Sequence, residues 1–525
     1  MTTKVIVTNV SALKQKYAGK YSAVRAAITK WIAADDERGI RTRLVALDSA
    51  SAMRRLGGRA VTDAGDEQQN KKAIDAIYTK LRPDYLVILG AVDVIPHQDL
   101  LNPLFSPPDD PDRYALSDLP YACEAPYSRR INDFIGPTRV VGRVPDLTGA
   151  TNPAYLIRLI DYAARWHSQP RKQYERPLAI SAEVWEGSTR LTLRNLFHTS
   201  ATVRLSPPRG PKWSKRDVAR MTHFINCHGS PVSPEFLGQR GTNSYPVSHE
   251  AAHIAGKVVR GTIVAVECCY GAELYDPALL PDNQAGIANV YLGGGAYAYF
   301  GSSTIAYGDA EFNSAADLVC QYFLAGVLQG ASQGRATLEA QQRFARAGTD
   351  LDPVDLKTLA QFMLLGDPSV HPVAKTASGP SRKRKQAIVG SDEGTRRDRR
   401  VALLRKGLGI SQVQGTAVRA QKAPPRKLVA SLEQVARARK LTPTNVLTFN
   451  VRQPAVNIGG TRSKAVRAAA APAASFHVMF ARQKPAKARS RSRAKAAATP
   501  VAATVLLVAR EVDGEIVSLR ELHRR

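Results

Sequence analysis

Asp84–Gly90 reads DYLVILG, a continuous apolar run that stops at glycine. A half-exposed strand would alternate apolar and polar residues. A run without alternation predicts a strand covered on both faces, as in a parallel sheet held between helices. The pattern recurs on either side of it. Lys4–Val10 (KVIVTNV), Thr42–Leu47, Thr138–Val144, Pro177–Ala182 (PLAISA), His223–Cys227, Thr262–Val266 and Ala296–Phe300 are short apolar runs, while Tyr21–Asp36, Lys71–Leu81 and Pro153–Trp166 have helical periodicity. Strands alternating with helices predict an α/β fold with a largely parallel sheet. Pro- and Gly-rich loops fill the gaps, notably at Asn102–Asp112.

The chain has 525 residues, 44% hydrophobic and 23% charged, a globular composition with room for about three domains at ~100–200 residues each. Its net charge of +29 is unevenly placed: residues 376–525 carry 32 Lys and Arg against 8 Asp and Glu, or +24, and the first 375 carry +5. The expected layout is an enzyme-sized unit followed by a basic linker at 376–430, including SRKRKQAIVGSDEGTRRDRR at Ser381–Arg400, and a small β-rich module at 431–525. In that module Leu432–Arg439 reads as a helix. Val446–Val451, Phe476–Phe480, Ala503–Ala509 and Glu515–Leu519 read as strands, with a turn signal at Asp513-Gly514 and a low-complexity basic loop at Ala486–Pro500. The charge points to a polyanion or regulatory partner of the tail (nucleic acid, an acidic protein or an anionic membrane surface), or else to a solubilising tail. Without Trp or Tyr the tail is poorly suited to stacking on nucleic-acid bases.

Five cysteines, an odd count without a CxxC pair, exclude a disulfide scaffold and a zinc ribbon. No signal-peptide pattern and no apolar run of ~18–20 residues is present, so the expected compartment is the cytoplasm, with no membrane span. His97, His249 and His253 have no metal-site spacing, and no cofactor is expected.

In an α/β sheet, reactive groups collect at the carboxyl ends of strands. Two strand ends carry them here: His223–Gly229 (HFINCHG) stops at His228-Gly229, and Thr262–Gly271 (TIVAVECCYG) stops at Glu267-Cys268-Cys269-Tyr270-Gly271. A thiol and an imidazole on neighbouring strand ends can form a Cys/His pair. The ring takes the thiol proton, the thiolate attacks a carbonyl, and the imidazolium protonates the leaving amine. Gly229 leaves room for a substrate and frees a backbone N–H for the oxyanion. Adjacent strand residues face opposite ways, so Cys268 and Cys269 cannot both address His228 equally.

These two motifs, in this order, resemble the clan CD cysteine peptidases, the group of caspases, metacaspases, legumain and gingipains. Further segments resemble the gingipain type: Tyr85–Pro96 (YLVILGAVDVIP), Ser117–Tyr121 (SDLPY), Arg139–Pro145 (RVVGRVP) and Phe362–Ser369 (FMLLGDPS). The resemblance covers about residues 80–372 and not the basic tail. It implies a caspase-like, mostly parallel sheet flanked by helices at 171–375, preceded by a smaller α/β subdomain at 1–170. It also implies a cysteine endopeptidase acting on protein or peptide substrates after Arg or Lys. The competing expectation is a catalytically degenerate caspase-like scaffold whose basic tail binds nucleic acid or an acidic partner.

Carried over residue by residue, the resemblance makes His228 the general base and acid. It makes Cys269 the preferred nucleophile, because Glu267-Cys268-Cys269 matches an acid–small–Cys pattern. The gingipain spacing Cys-x-x-Gly instead selects Cys268. Glu183, in ISAE at Ile180–Glu183, matches the acid that supports the catalytic His. Glu186 or Glu267 would be the acid of a basic-residue pocket. Asp93, Asp118 and Asp367 are expected to be turn or cap aspartates, or calcium ligands. Cys123, Cys227 and Cys320 are expected in the core.

Overall fold

The computed structural model describes residues 2–198, 202–347, 351–374, 417–421, 424–452, 474–483, 504–512 and 514–525. The expected linker segment Ser381–Arg400, the loop Ala486–Pro500 and Asp513 of the expected turn lie outside the described residues.

From the N-terminus, β1 (Thr2–Thr8), β2 (Ile40–Ala46) and β3 (Tyr85–Leu89) precede a hairpin of β4 (Gln98–Leu101) and β5 (Tyr114–Ser117). Next come β6 (Val141–Val144), β7 (Leu178–Ala182), β8 (Val203–Ser206) and β9 (Thr222–Asn226). A three-stranded antiparallel ribbon follows, made of β10 (His228–Gly229), β11 (Glu235–Leu237) and β12 (Val247–Glu250). The chain continues through β13 (Ile263–Val266), β14 (Ala298–Ser302), β15 (Tyr307–Gly308) and β16 (Phe362–Leu365). The last strands are β17 (Ala417–Gln421), β18 (Leu441–Arg452), β19 (Ala474–Gln483), β20 (Thr504–Val512) and β21 (Glu515–Arg524).

Ten strands form one sheet in the order β2-β1-β3-β6-β16-β14-β13-β9-β7-β8. Strands from residues 1–170 and from 171–375 share it. All neighbours are parallel except β14 and β16, which pair from Tyr299 opposite Leu365 to Ser302 opposite Phe362. The FMLLGDPS segment supplies β16 and joins the two groups, pairing with β6 through Leu365 and Arg143. This is the α/β architecture that the unalternating apolar runs predict. Two boundaries moved because of capping. β1 stops at Thr8 because the Asn9 side chain accepts from Ala12 N at 2.9 Å and starts the helix Val10–Tyr17. The helix Glu67–Leu81 starts earlier than Lys71 because Asp66 caps it through Gln69 N at 2.9 Å.

The two faces of the sheet are separate apolar cores. On β13, Val264 and Val266 point into one core, and Ile263 and Ala265 into the other. The alternation continues beyond the strand, with Cys268 in the first core and Cys269 in the second.

The C-terminal strands make an antiparallel sheet ordered β15-β21-β20-β19-β18-β17, one edge of which is β15 of the α/β part. The helix Arg426–Ala438 covers one face with Leu428, Leu432 and Ala436. The other face, with Phe476, Phe480, Leu506 and Leu522, joins the core that holds Cys269. Several arginines of the basic tail are paired with acids of the α/β part. Arg482 meets Asp109 at 3.2 Å, and Arg520 holds Asp355 at 2.9 Å as well as Asp352. Among the described residues no helix is long and apolar enough to cross a membrane.

The motif aspartates are ion-pair partners. Asp118 takes Arg143 Nε at 2.8 Å and Nη2 at 2.6 Å. Asp367 takes buried Lys4 at 2.9 Å, and Asp93 takes Lys16 at 2.7 Å. Among the described residues no cluster of three or more His, Cys, Asp or Glu is arranged to hold a metal ion. Each of the three carboxylates meets a basic side chain, Lys4 and Lys16 being shared with Asp35 and Asp146.

Candidate active site

β9 and β13 are parallel neighbours, so their carboxyl ends open at the same edge of the sheet. His228 leaves β9 through Cys227, and the two-cysteine segment leaves β13 through Glu267. The backbones touch: a Cβ on Gly229 would lie 1.8 Å from the Cys269 carbonyl oxygen. Glycine at 229 is therefore required by the neighbouring strand end itself.

The His228 ring is held on three sides. Trp185 lies 4.4 Å from it between centroids and Tyr245 5.3 Å, and Nε2 contacts Gln239 Oε1 at 2.7 Å. Gln239 Nε2 donates to Gly241 O at 2.6 Å, which fixes the amide so that Oε1 faces the ring. His228 Nε2 must then carry the proton, leaving Nδ1 with a lone pair. Nδ1 is buried without a partner among the described residues. Burial lowers the His228 pKa to about 3; the Gln239 bond opposes this, and the nearby Arg525, Arg524 and His523 charges add to it.

Cys269 and Cys268 have opposite surroundings. Cys268 Sγ faces the Ile225 carbonyl in the core at 3.9 Å, and burial raises its pKa well above the usual thiol value. Cys269 Sγ accepts from Ala306 N at 3.2 Å and donates to the backbone oxygen of Arg525. Burial raises its pKa too, while Arg524 and the Ala306 amide act in the opposite direction. Cys269 therefore meets the segment 523–525 directly, and the Trp185 ring that packs on His228 also carries the Arg525 guanidinium.

The Arg525 side chain fills a pocket beside the thiol. Its Nη2 meets Asp317 Oδ1 at 2.7 Å and donates to Asp309 O at 2.6 Å, and its guanidinium lies 4.3 Å over the Trp185 ring. Nε and Nη1 have no partner among the described residues. Asp317, in the first turn of the helix Ala315–Leu328, is anchored by Asp309 N at 2.8 Å. Glu267 lies behind Asp317. Burial pushes its pKa well above the usual carboxylate range, neighbouring Asp317 pushes it further, and Arg525 opposes both. Burial thus disfavours the charged form of Glu267, and the ion pair with Arg525 is made by Asp317.

Two expected roles are not met by the geometry. Glu183 does not support His228: it starts the turn after β7 at the surface, where Arg240 Nε takes its carboxylate at 2.5 Å, and Gln239 occupies the position beside the ring. Glu186 is not a pocket acid, because it opens the helix Glu186–Phe197 and pairs outward with Arg190 at 2.6 Å. Sequence reasoning missed Asp317, Trp185 and Gln239. Trp185 lies between the two acids that were singled out. Asp317 resembles any acid in a first helical turn, and nothing in the sequence marks Gln239. Cys123, Cys227 and Cys320 are buried and unbridged.

No protein-family model matches the chain, and no curated protein is similar to it in sequence. Among solved structures, a chain described as "Structure of Protease" is similar over 99% of this chain and 97% of that one, with a TM-score of 0.45 and 12% identity, a level at which the likeness assigns neither a family nor an activity.

Proposed function

We propose that this protein is a cysteine endopeptidase that cleaves after arginine, with lysine as a poorer substrate. The observation that carries the reading is an arginine side chain in a closed acidic pocket whose backbone oxygen meets the Cys269 thiol. That is the placement of the residue before a scissile bond.

In the reaction, Cys269 Sγ passes its proton to His228 Nδ1 and attacks the carbonyl carbon. The oxyanion develops beside the Gly229 N–H. The imidazolium gives its proton to the leaving amine as the C–N bond breaks, leaving a thioester on Cys269. Water, deprotonated by the same ring, hydrolyses the thioester and restores the thiol. Gln239 fixes the tautomer this requires. Asp317 supplies the charge and Trp185 the flat face that suit a guanidinium better than a lysine ammonium. Glu267 backs Asp317.

The test is a set of fluorogenic peptides varied only at the residue before the scissile bond. Cleavage after Arg should lead, with Lys behind it and Leu or Asn at least tenfold weaker. Equal cleavage after Leu or Asn would overturn the basic pocket. Made in an Arg525→Ala chain, where the pocket is vacant, Asp317→Asn should lower kcat/KM for the Arg peptide by about 10²-fold, since a charge-assisted hydrogen bond of ~1.5–3 kcal/mol is lost. The Leu peptide should hardly change. Glu183→Gln should leave turnover within about twofold, whereas Gln239→Leu should lower kcat by ~10-fold or more and shift the acid limb of the pH profile. An unchanged profile in Gln239→Leu would remove its role in holding the ring.

A further inference from the structure

β21 ends inside the cleft. It lies antiparallel to β15, with Arg524 opposite Tyr307 and His523 opposite Gly308. One residue further on, Arg525 N donates to Ala306 O at 3.0 Å, and the same Ala306 donates its own N–H to Cys269 Sγ. The backbone of 523–525 therefore extends a strand edge towards the thiol, the Arg525 side chain turns into the acidic pocket, and the Arg525 backbone oxygen meets Sγ. Backbone pairing along an exposed edge with a side chain in a pocket is how extended peptides are recognised. Gly308 is shaped to this occupant: a Cβ there would come within 2.3 Å of Arg525 Nη2.

The segment is delivered by a folded body. Leu522 is buried in the core shared with the α/β part, and Arg520 and Arg482 tie neighbouring positions to Asp355 and Asp109. Arg524 Nη1 adds a bond to Asp109 O at 3.3 Å. An occupant held by its own chain in this way acts at an effective concentration on the order of mM or above, which a dilute peptide must outcompete.

We infer that Leu522–Arg525 occupies and closes the cleft in cis, bound in the direction of the acyl half of a substrate, so that the C-terminal sheet is a built-in inhibitor. This rests on the peptidase reading for what is inhibited, but not for the occupancy itself. Access then requires β21 to detach from β15, and a peptide ending in arginine competes for the vacated site.

The experiment compares the full 525-residue chain with Arg525→Ala and with a deletion of Leu522–Arg525. Iodoacetamide labelling of Cys269 is followed by mass spectrometry, alongside cleavage of an Arg fluorogenic peptide. Labelling of Cys269 should be at least tenfold faster in both variants, and the peptide acetyl-His-Arg-Arg should protect the thiol again. If the deletion unfolds the chain, Asp317→Asn releases the same arginine with β21 intact and should raise labelling likewise. Equal labelling of Cys269 in the full chain and in the folded variants overturns the inference. Faster labelling with no cleavage of any peptide supports the occupancy and sinks the peptidase reading instead.

Discussion

Cys269→Ala, made in the Arg525→Ala chain so that the cleft is open, should lower hydrolysis of an Arg peptide by at least about 10³-fold. Loss of a nucleophile commonly costs that much or more. Cys268→Ala in the same chain should keep activity within a few-fold. The two thiols differ by one position and by a whole face of the sheet. Cys268 shares its core with Val264 and Val266, and its sulfur faces the Ile225 carbonyl. Cys269 lies on the other face, next to Ala306 and the arginine backbone. Either substitution exchanges one small buried side chain for another, so both variants should melt within a few degrees of the parent. Activity lost in Cys268→Ala and kept in Cys269→Ala would reverse the assignment. Activity kept in both would remove the cysteine mechanism.

The largest expected effect on stability belongs to Asp118→Ala, about 3–5 kcal/mol. Arg143 is fully buried and its guanidinium is nearly saturated: Nε and Nη2 bind Asp118, and Nη1 binds the carbonyls of Gly90 at 3.0 Å and Ile95 at 2.8 Å. Removing the carboxylate leaves a buried cation facing carbonyls alone. Replacing both partners, as in Asp118→Leu with Arg143→Met, should recover much of the loss, because no charge is then stranded. Urea midpoints of the single and double variants measure this, and a single-variant loss below 1 kcal/mol would refute it. Acid should reproduce the effect. Burial alone would raise the Asp118 pKa, but the Arg143 pair outweighs it and holds the folded value below the usual range. The pair's contribution is therefore complete above the unfolded carboxylate pKa of about 4 and is lost as pH falls through the lower folded value. The parent should lose its advantage over Asp118→Ala in that window.

The strand pattern was legible because fully covered strands leave unbroken apolar runs, and DYLVILG, PLAISA and TIVAV each became a strand of the sheet. Face parity was legible too: counting by twos from Ile263 puts Glu267 and Cys269 on one side and Cys268 on the other. The pocket was not. Asp317 reaches the site from a helix that follows the last strand-end motif, so its role depends on tertiary placement and not on spacing. Glu183 illustrates the converse. Its position after β7 suggested support for His228, but a side chain at the surface pairs with whichever cation is nearest, and Arg240 is nearer. The helices Ala315–Leu328 and Pro353–Gln361 were not legible as separate elements, since burial on most sides blurs the amphipathic signal, whereas Gln333–Ala347 is clearly amphipathic and was passed over. The reach of β21 into the cleft had no local signature, because Leu522–Arg525 is a short basic segment like others in the tail.

The position of β16 bears on how the molecule assembles during synthesis. β6 ends at Val144 and β14 at Ser302, but the strand that lies between them begins at Phe362. On a ribosome adding roughly 5–20 residues per second, β6 waits on the order of ten seconds or more for its partner to be made. Once β14 is made, and until β16 follows, the nascent chain has two half-sheets, each with an open, apolar edge. Such edges invite pairing with other chains, so chaperone dependence during translation should exceed that during refolding of the finished chain, where β16 is present from the start.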